Sequence, residues 1–227
     1  MLRFLPAGLL ILLVLSPGCR VSTPDLFPLP EQIEGVEGYA SLKVSSQGET
    51  TRSRFSFIFH FPDLGRIDVT DFFGKSLFLL YFKNGTAYIV VPAKKLYWQG
   101  DETEAVAMFL GFKMKTFDFF ALMIGRWGEE HGSYSGPEGS WEFQKDERGR
   151  VSKAVSGDLR FEVEEHFDRS FLIRDLAFTH LSFDGRIRIL RIGFDPYQGE
   201  DTYTLDFLEN YDRTTWEEMR ETFDHKD

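Results

Sequence analysis

The chain holds one cysteine, Cys19, so no intramolecular disulfide can brace it and no cluster of thiolates can hold a metal. His60, His131, His166, His180 and His225 are scattered with no H-E-x-x-H pair, and no glycine-rich phosphate loop is present. Gly132-Ser133-Tyr134-Ser135-Gly136 imitates a nucleophile elbow, but Tyr134 stands where the serine must be, so it reads as a turn. The acidic pairs Glu129-Glu130, Glu164-Glu165 and Glu217-Glu218 have no third group beside them and read as solvated surface. No enzymatic activity, cofactor or metal is therefore expected. Cations are scarce as well: 26 Lys and Arg stand against 36 Asp and Glu, a net charge of −10. That balance argues against nucleic acid or an anionic lipid surface as the main partner, since both select clustered Lys and Arg.

Long apolar runs are also missing. The only candidate, Leu5 to Leu15, is broken by Pro6 and Gly8; at about ten residues it is too short to span a bilayer and fits an export signal behind Arg3. Ser16-Pro17-Gly18-Cys19 closes the run with small residues and the lone thiol. This resembles the lipobox of bacterial lipoproteins, in which residues 1–18 are removed and Cys19 becomes the lipidated N-terminus. The lipobox usually has Leu three residues before the cysteine, whereas Leu15 lies four before and Pro17 intervenes. The alternative is an ordinary secretory signal with a stray thiol. Removing residues 1–18 deletes Arg3 and no acid, moving the net charge from −10 to −11. Residues 19–34, with Pro24, Pro28 and Pro30, read as a lipidated start and an extended stalk, holding the domain roughly 30–40 Å from the lipid.

What is abundant is phenylalanine, with 24 residues. Phe55, Phe57, Phe59 and Phe61 alternate with Ser56, Ile58 and His60, a period of two that places four rings on one face of a strand. Further strands are expected at 38–46, 66–71, 77–83, 86–91 and 95–99, then at 141–145, 151–156, 159–165, 171–183, 186–194 and 203–208. Asn84-Gly85 and Asp184-Gly185 are read as tight hairpin turns. The result is a mainly β domain over residues 35–210: an antiparallel meander of about eleven or twelve strands, followed by a polar tail at 211–227 that either adds a short helix or frays.

Between the strand blocks the period changes. Glu102 to Leu110 places Val106, Phe109 and Leu110 at helical spacing, and Phe117, Phe120, Ile124 and Trp127 mark a second helix with Thr116 as its N-cap and Gly125 and Gly128 at its end. That helix also carries Phe119, Leu122 and Met123, so it is apolar nearly all round and must be covered on more than one side. Helices inserted in mid-sheet imply a lid over one face. The rings either fill an ordinary core or leave an apolar cavity for an acyl chain, with Phe55, Phe57, Phe59 and Phe61 on the sheet side and Phe109, Phe117, Phe120 and Ile124 on the helix side. Patterning does not separate these readings.

Three segments carry a family resemblance. They are Gly38-Tyr39-Ala40-Ser41-Leu42-Lys43-Val44 ahead of the aromatic strand, Arg66-Ile67-Asp68-Val69-Thr70-Asp71-Phe72-Phe73-Gly74, and Phe109-Leu110-Gly111 with Gly125 fourteen residues later. In this order they resemble the LolB family of outer-membrane lipoprotein receptors, in the superfamily that includes the periplasmic carrier LolA. The resemblance implies an incomplete antiparallel barrel with a helical lid, an interior that takes the acyl chains of passenger lipoproteins, and a LolA-like carrier as upstream partner. It also implies a monomer, lipid-anchored in the outer membrane and facing the periplasm. Arg20, which is not the aspartate that retains many lipoproteins in the inner membrane, agrees with that location. The family's membrane-insertion loop falls on Phe72 and Phe73, where the family often has Pro-Leu; the other reading folds both rings back under the sheet. A further class is a structural or protein-binding envelope lipoprotein of the same fold without transfer activity.

Overall fold

The computed structural model describes residues 33–46, 48–71, 73–125, 141–181, 183–196 and 199–224. The expected signal, Cys19, the stalk, Trp127, Gly128 and the Gly132–Gly136 segment lie outside these residues. Twelve strands build one open sheet: β1 (Gly35–Ser46), β2 (Glu49–His60), β3 (Leu64–Thr70), β4 (Ser76–Lys83), β5 (Thr86–Val91), β6 (Leu96–Asp101), β7 (Glu142–Lys145), β8 (Val151–Ser156), β9 (Leu159–His166), β10 (Ile173–His180), β11 (Phe183–Phe194) and β12 (Asp212–Arg213). Helices α1 (Glu102–Leu110) and α2 (Thr116–Met123) interrupt the strands, and α3 (Trp216–Asp224) comes after them.

The order across the sheet is β12-β6-β5-β4-β3-β2-β1-β11-β10-β9-β8-β7. The expected continuous meander is thus two meanders, joined where β1 pairs antiparallel with β11, Val36 opposite Phe194 and Ser46 opposite Phe183. Local turn signals are blind to a pairing so distant in the chain. Asp195 pins the join, its Oδ1 accepting from the backbone N–H groups of Glu34 (2.8 Å) and Gly35 (2.9 Å). The short β12 runs parallel to β6, the one departure from antiparallel pairing.

Asn84 (φ 52°) and Gly85 (φ 75°) form the expected two-residue hairpin between β4 and β5. Asp184-Gly185 does not form a turn. Both residues lie inside β11, and the connection falls between His180 and Phe183, where Leu181 takes φ 51°. Gly185 serves instead as a close-approach site: it faces Phe178 across the β10–β11 ladder, and any Cβ would overlap that ring. Gly38 opposite Phe57 and Gly65 opposite Phe59 repeat the device. Each ring lies down over the glycine, which is how a sheet so rich in phenylalanine accommodates its rings.

One core runs from Ile33 to Met219, so residues 33–224 close on themselves. A smaller apolar cluster lies apart from it, where Leu205, Phe207 and Leu208 pack on Tyr81, Tyr88 and Val90. The strand expected at 203–208 is absent: Glu200–Tyr203 and Asp206–Asn210 are 3-10 turns. Their alternation of apolar residues covers a sheet face without joining the ladder. In the 211–224 segment, Met219 is fully buried and Trp216 packs edge-on against Trp98 at 6.1 Å. A capping box starts α3, with Glu218 N–H donating to Thr215 Oγ1 (3.3 Å) and Thr215 N–H to Glu218 Oε2 (3.0 Å).

Candidate functional site

α1 begins at Asp101, whose Oδ1 accepts from the N–H groups of Thr103 (2.8 Å) and Glu104 (3.4 Å). It ends at Gly111, with φ 83°. His180 Nδ1 lies 2.9 Å from the Gly111 carbonyl oxygen, tying the lid to β10. Thr116 is not the cap of α2. Lys115 holds the extended cap conformation and Thr116 is already helical and buried. Phe119, Phe120, Ala121, Leu122, Met123 and Ile124 are all buried, as a helix apolar on every side requires.

Between lid and sheet lies an apolar cavity of about 80 Å³. Phe55, Val69, Phe78 and Leu80 line its sheet side; Val106, Phe109, Phe119 and Phe120 line its lid side; Ser53 and Thr116 are the polar residues at its wall. The expected residues therefore divide. Phe55, Phe109 and Phe120 line the cavity. Phe57 and Phe59 are buried at its filled end, with ring centroids 5.4 and 3.6 Å from that of Phe120. Ile124 is buried at the C-terminal cap of α2, away from the cavity wall, and Phe61 is half-buried just beyond the end of β2. Phe117 sits in the first turn of α2, its side chain outside the described residues. Core filling and a void coexist, at different ends of one interior.

Sequence reasoning missed Phe78, Leu80 and Phe82, which line the cavity from β4. Their signal was present: they alternate along a strand as the β2 rings do. Phe78 stacks on Phe109 at 4.9 Å, closing the interior beneath α1.

Phe73 stands 92% exposed at the β3–β4 loop; Phe72 lies outside the described residues. The loop is a built turn. Asp71 Oδ1 accepts from the N–H groups of Phe73 (2.8 Å) and Lys75 (2.9 Å), Asp71 N–H donates to the Lys75 carbonyl (2.9 Å), and Gly74 takes φ 82°. Phe73 is thereby presented to solvent by a hydrogen-bonded loop.

Glu102 opens α1 half-buried, and burial together with the neighbouring Asp101 charge raises its carboxyl pKa. A raised folded-state pKa stabilises the fold below the unfolded value and loses that contribution as pH rises through the folded value. Glu102→Gln is accordingly expected to raise the melting temperature at about pH 7 and to leave it unchanged below about pH 3, where both side chains are neutral. Thermal melts at the two pH values check the sign, and an equal effect at both removes the electrostatic cause.

Fold and site together define an open β half-barrel with an apolar interior under a helical lid. No protein-family model matches the chain, and no curated protein sequence matches it. Among solved structures it is similar to a LolA superfamily protein from Nitrosomonas europaea, at 6% identity over 78% of this chain and 92% of that one, TM-score 0.55. It is also similar to a DUF1329 family protein from Desulfovibrio piger, at 10% identity over 78% and 92% of the two chains, TM-score 0.50. The architecture is thus of the kind seen in the LolA superfamily, a likeness of fold.

Proposed function

We propose that this protein is a lipid-anchored envelope receptor that takes acyl chains of lipoproteins into its interior and passes them to the outer membrane. Cys19 carries the anchor in this reading, and a soluble LolA-like protein supplies the cargo. The observation that carries it is the apolar cavity between the β2–β4 rings and the α1–α2 lid, together with the exposed Phe73. A dry apolar cavity is what an acyl chain fills, at about 0.8 kcal/mol for each methylene removed from water. At about 80 Å³ it has room for only a few methylene groups, so a full chain enters by lifting the lid. The transfer runs downhill from carrier to bilayer and needs no nucleotide.

Phe73 serves the last step. A monomeric domain has little reason to hold so exposed a ring in water, and burying it in a bilayer returns roughly 1.5–3 kcal/mol. Phe73→Glu is expected to leave folding and acyl-chain binding intact and to slow delivery to liposomes by about tenfold or more, the kinetic equivalent of 1.4 kcal/mol. Lipid-extraction mass spectrometry and a delivery assay on the same variant decide it. Equal loss of binding and delivery makes Phe73 a folding residue. No bound lipid and no delivery by the unaltered protein favours the protein-binding envelope lipoprotein instead.

A further inference from the structure

An acidic net charge conceals one concentrated basic surface. On the face of the sheet opposite the core, register places Arg52 of β2, Lys43 of β1 and Arg186 of β11 directly beside one another across three adjacent strands. In the next row on that face Arg54 and Arg188 flank Ser41. Directly opposed residues on neighbouring strands are about 5 Å apart, and like charges so placed destabilise a sheet. Arg186 has a structural role, since it pairs with the buried Asp175, but the placement of Lys43 and Arg52 beside it is a cost to the fold. A groove of about 380 Å³ lies over it, lined by these five cations with Ser41, Leu42 and Ser53, and by no acid.

Arg186 and Arg188 are offset: with Arg174 they form a network of three cations against the carboxylates of Glu164, Glu165 and Asp175. The carboxylate of the buried Asp175 accepts from Arg186 Nε (2.7 Å) and Nη2 (2.8 Å), Glu164 also pairs with Arg186, and Glu165 lies 3.6 Å from Arg188. Lys43 and Arg52 are exposed and form no ion pair among the described residues. The positive charge left over for an anion is therefore that of Lys43 and Arg52, set beside guanidiniums already held by carboxylates, and such exposed cations are what a phosphate oxyanion seeks.

Its position specifies the source of the phosphate. Arg54 lies opposite Thr70, the last residue of β3 before the loop that presents Phe73. Ser46 lies opposite Phe183, beside the turn where Leu181 stands 77% exposed. Two exposed apolar side chains and the basic rows therefore share one end of the half-barrel, the arrangement of a surface that inserts apolar tips while cations meet headgroups. We propose that this outer groove on β2, β1 and β11 binds the phosphate of anionic lipid headgroups and docks the Phe73 rim on an anionic bilayer. The inference rests on the transfer reading for its purpose but stands on its own geometry.

The test uses the chain from residue 20 onward, whose core is closed by residues 33–224, and vesicles of phosphatidylcholine with or without a minority of phosphatidylglycerol. The expected result is preferential partition to the phosphatidylglycerol vesicles. Lys43→Gln/Arg52→Gln is expected to weaken that partition by about 30-fold, at ~1 kcal/mol for each cation removed near the surface. Partition to neutral vesicles should not change, and melting temperature should hold or rise as like-charge repulsion is relieved. Undiminished preference in the double variant overturns the proposal. So does saturation of the groove by inorganic phosphate with no added affinity for vesicles, which makes it a soluble-anion site. Acyl-chain uptake is measured separately: if the unaltered chain shows the charge-dependent docking but takes up no acyl chain, the groove stands and the transfer reading falls.

Discussion

Replacing Phe120 with alanine is expected to lower stability by about 3–5 kcal/mol and, at the same time, to increase uptake of an apolar ligand. Phe120 is 3% exposed, and its ring meets Phe59, Phe57 and Phe119 with centroids 3.6, 5.4 and 5.6 Å away. Truncation removes the transfer free energy of a buried ring and leaves a void. The void cannot easily collapse, because Phe119, Leu122 and Met123 hold the rest of α2 in place. It adjoins the existing cavity, which Phe120 already lines. Denaturant unfolding and titration with a fluorescent fatty acid separate the two effects. Phe120→Leu, which keeps most of the volume, should cost less than about 1.5 kcal/mol. A loss under about 1 kcal/mol for the alanine variant means that the lid is not docked on β2 in solution.

Gly38→Val is expected to cost about 3 kcal/mol, at the upper end of what overpacking usually costs, since neither obstacle can move cheaply. Any Cβ there overlaps the Phe57 ring and lies 2.6 Å from the backbone carbonyl oxygen of Arg191. The ring could turn aside only by pushing on Phe120, and the carbonyl belongs to the β1–β11 ladder that joins the two meanders. Combining Gly38→Val with Phe57→Ala should recover part of the loss and leave the share due to Arg191. Gly199→Val, at a site where no atom of the described residues lies within 4 Å of a Cβ and φ is not left-handed, should change stability by less than about 0.5 kcal/mol. A loss at Gly199 as large as that at Gly38 would mean that the cost at Gly38 does not come from the overlap with Phe57 and Arg191, since backbone entropy alone favours the valine variant.

What was legible in the sequence was what is local. The period-two rings of β2, the Asn84-Gly85 hairpin and the bounds of α1 arise from residues that touch near neighbours in the chain. What was not legible depends on partners far away. Tyr203, Leu205 and Phe207 alternate as a strand does, but they lie in 3-10 turns and beside them, and Leu205 and Phe207 pack with Tyr81 and Tyr88. Asp184-Gly185 has turn chemistry, yet Phe178 on the opposing strand determines why glycine is there. In the site, alternation put Phe55, Phe57 and Phe59 on one buried face, but only the placement of Phe120 decides which ring meets a void. The basic rows are the extreme case: Lys43, Arg52 and Arg186 belong to three separate strands, and only register makes them neighbours.

The strand order also governs how the interior can be loaded. The chain leaves β6 near one margin of the sheet, forms the lid, and re-enters as β7 at the opposite margin. The lid is consequently a strap fastened on both sides and not a flap hinged on one. No ladder hydrogen bond has to break for it to rise, but the contact between His180 Nδ1 and the Gly111 carbonyl, which ties it to β10, does. On the proposed reading, cargo enters lengthwise beneath the lid from an end of the trough.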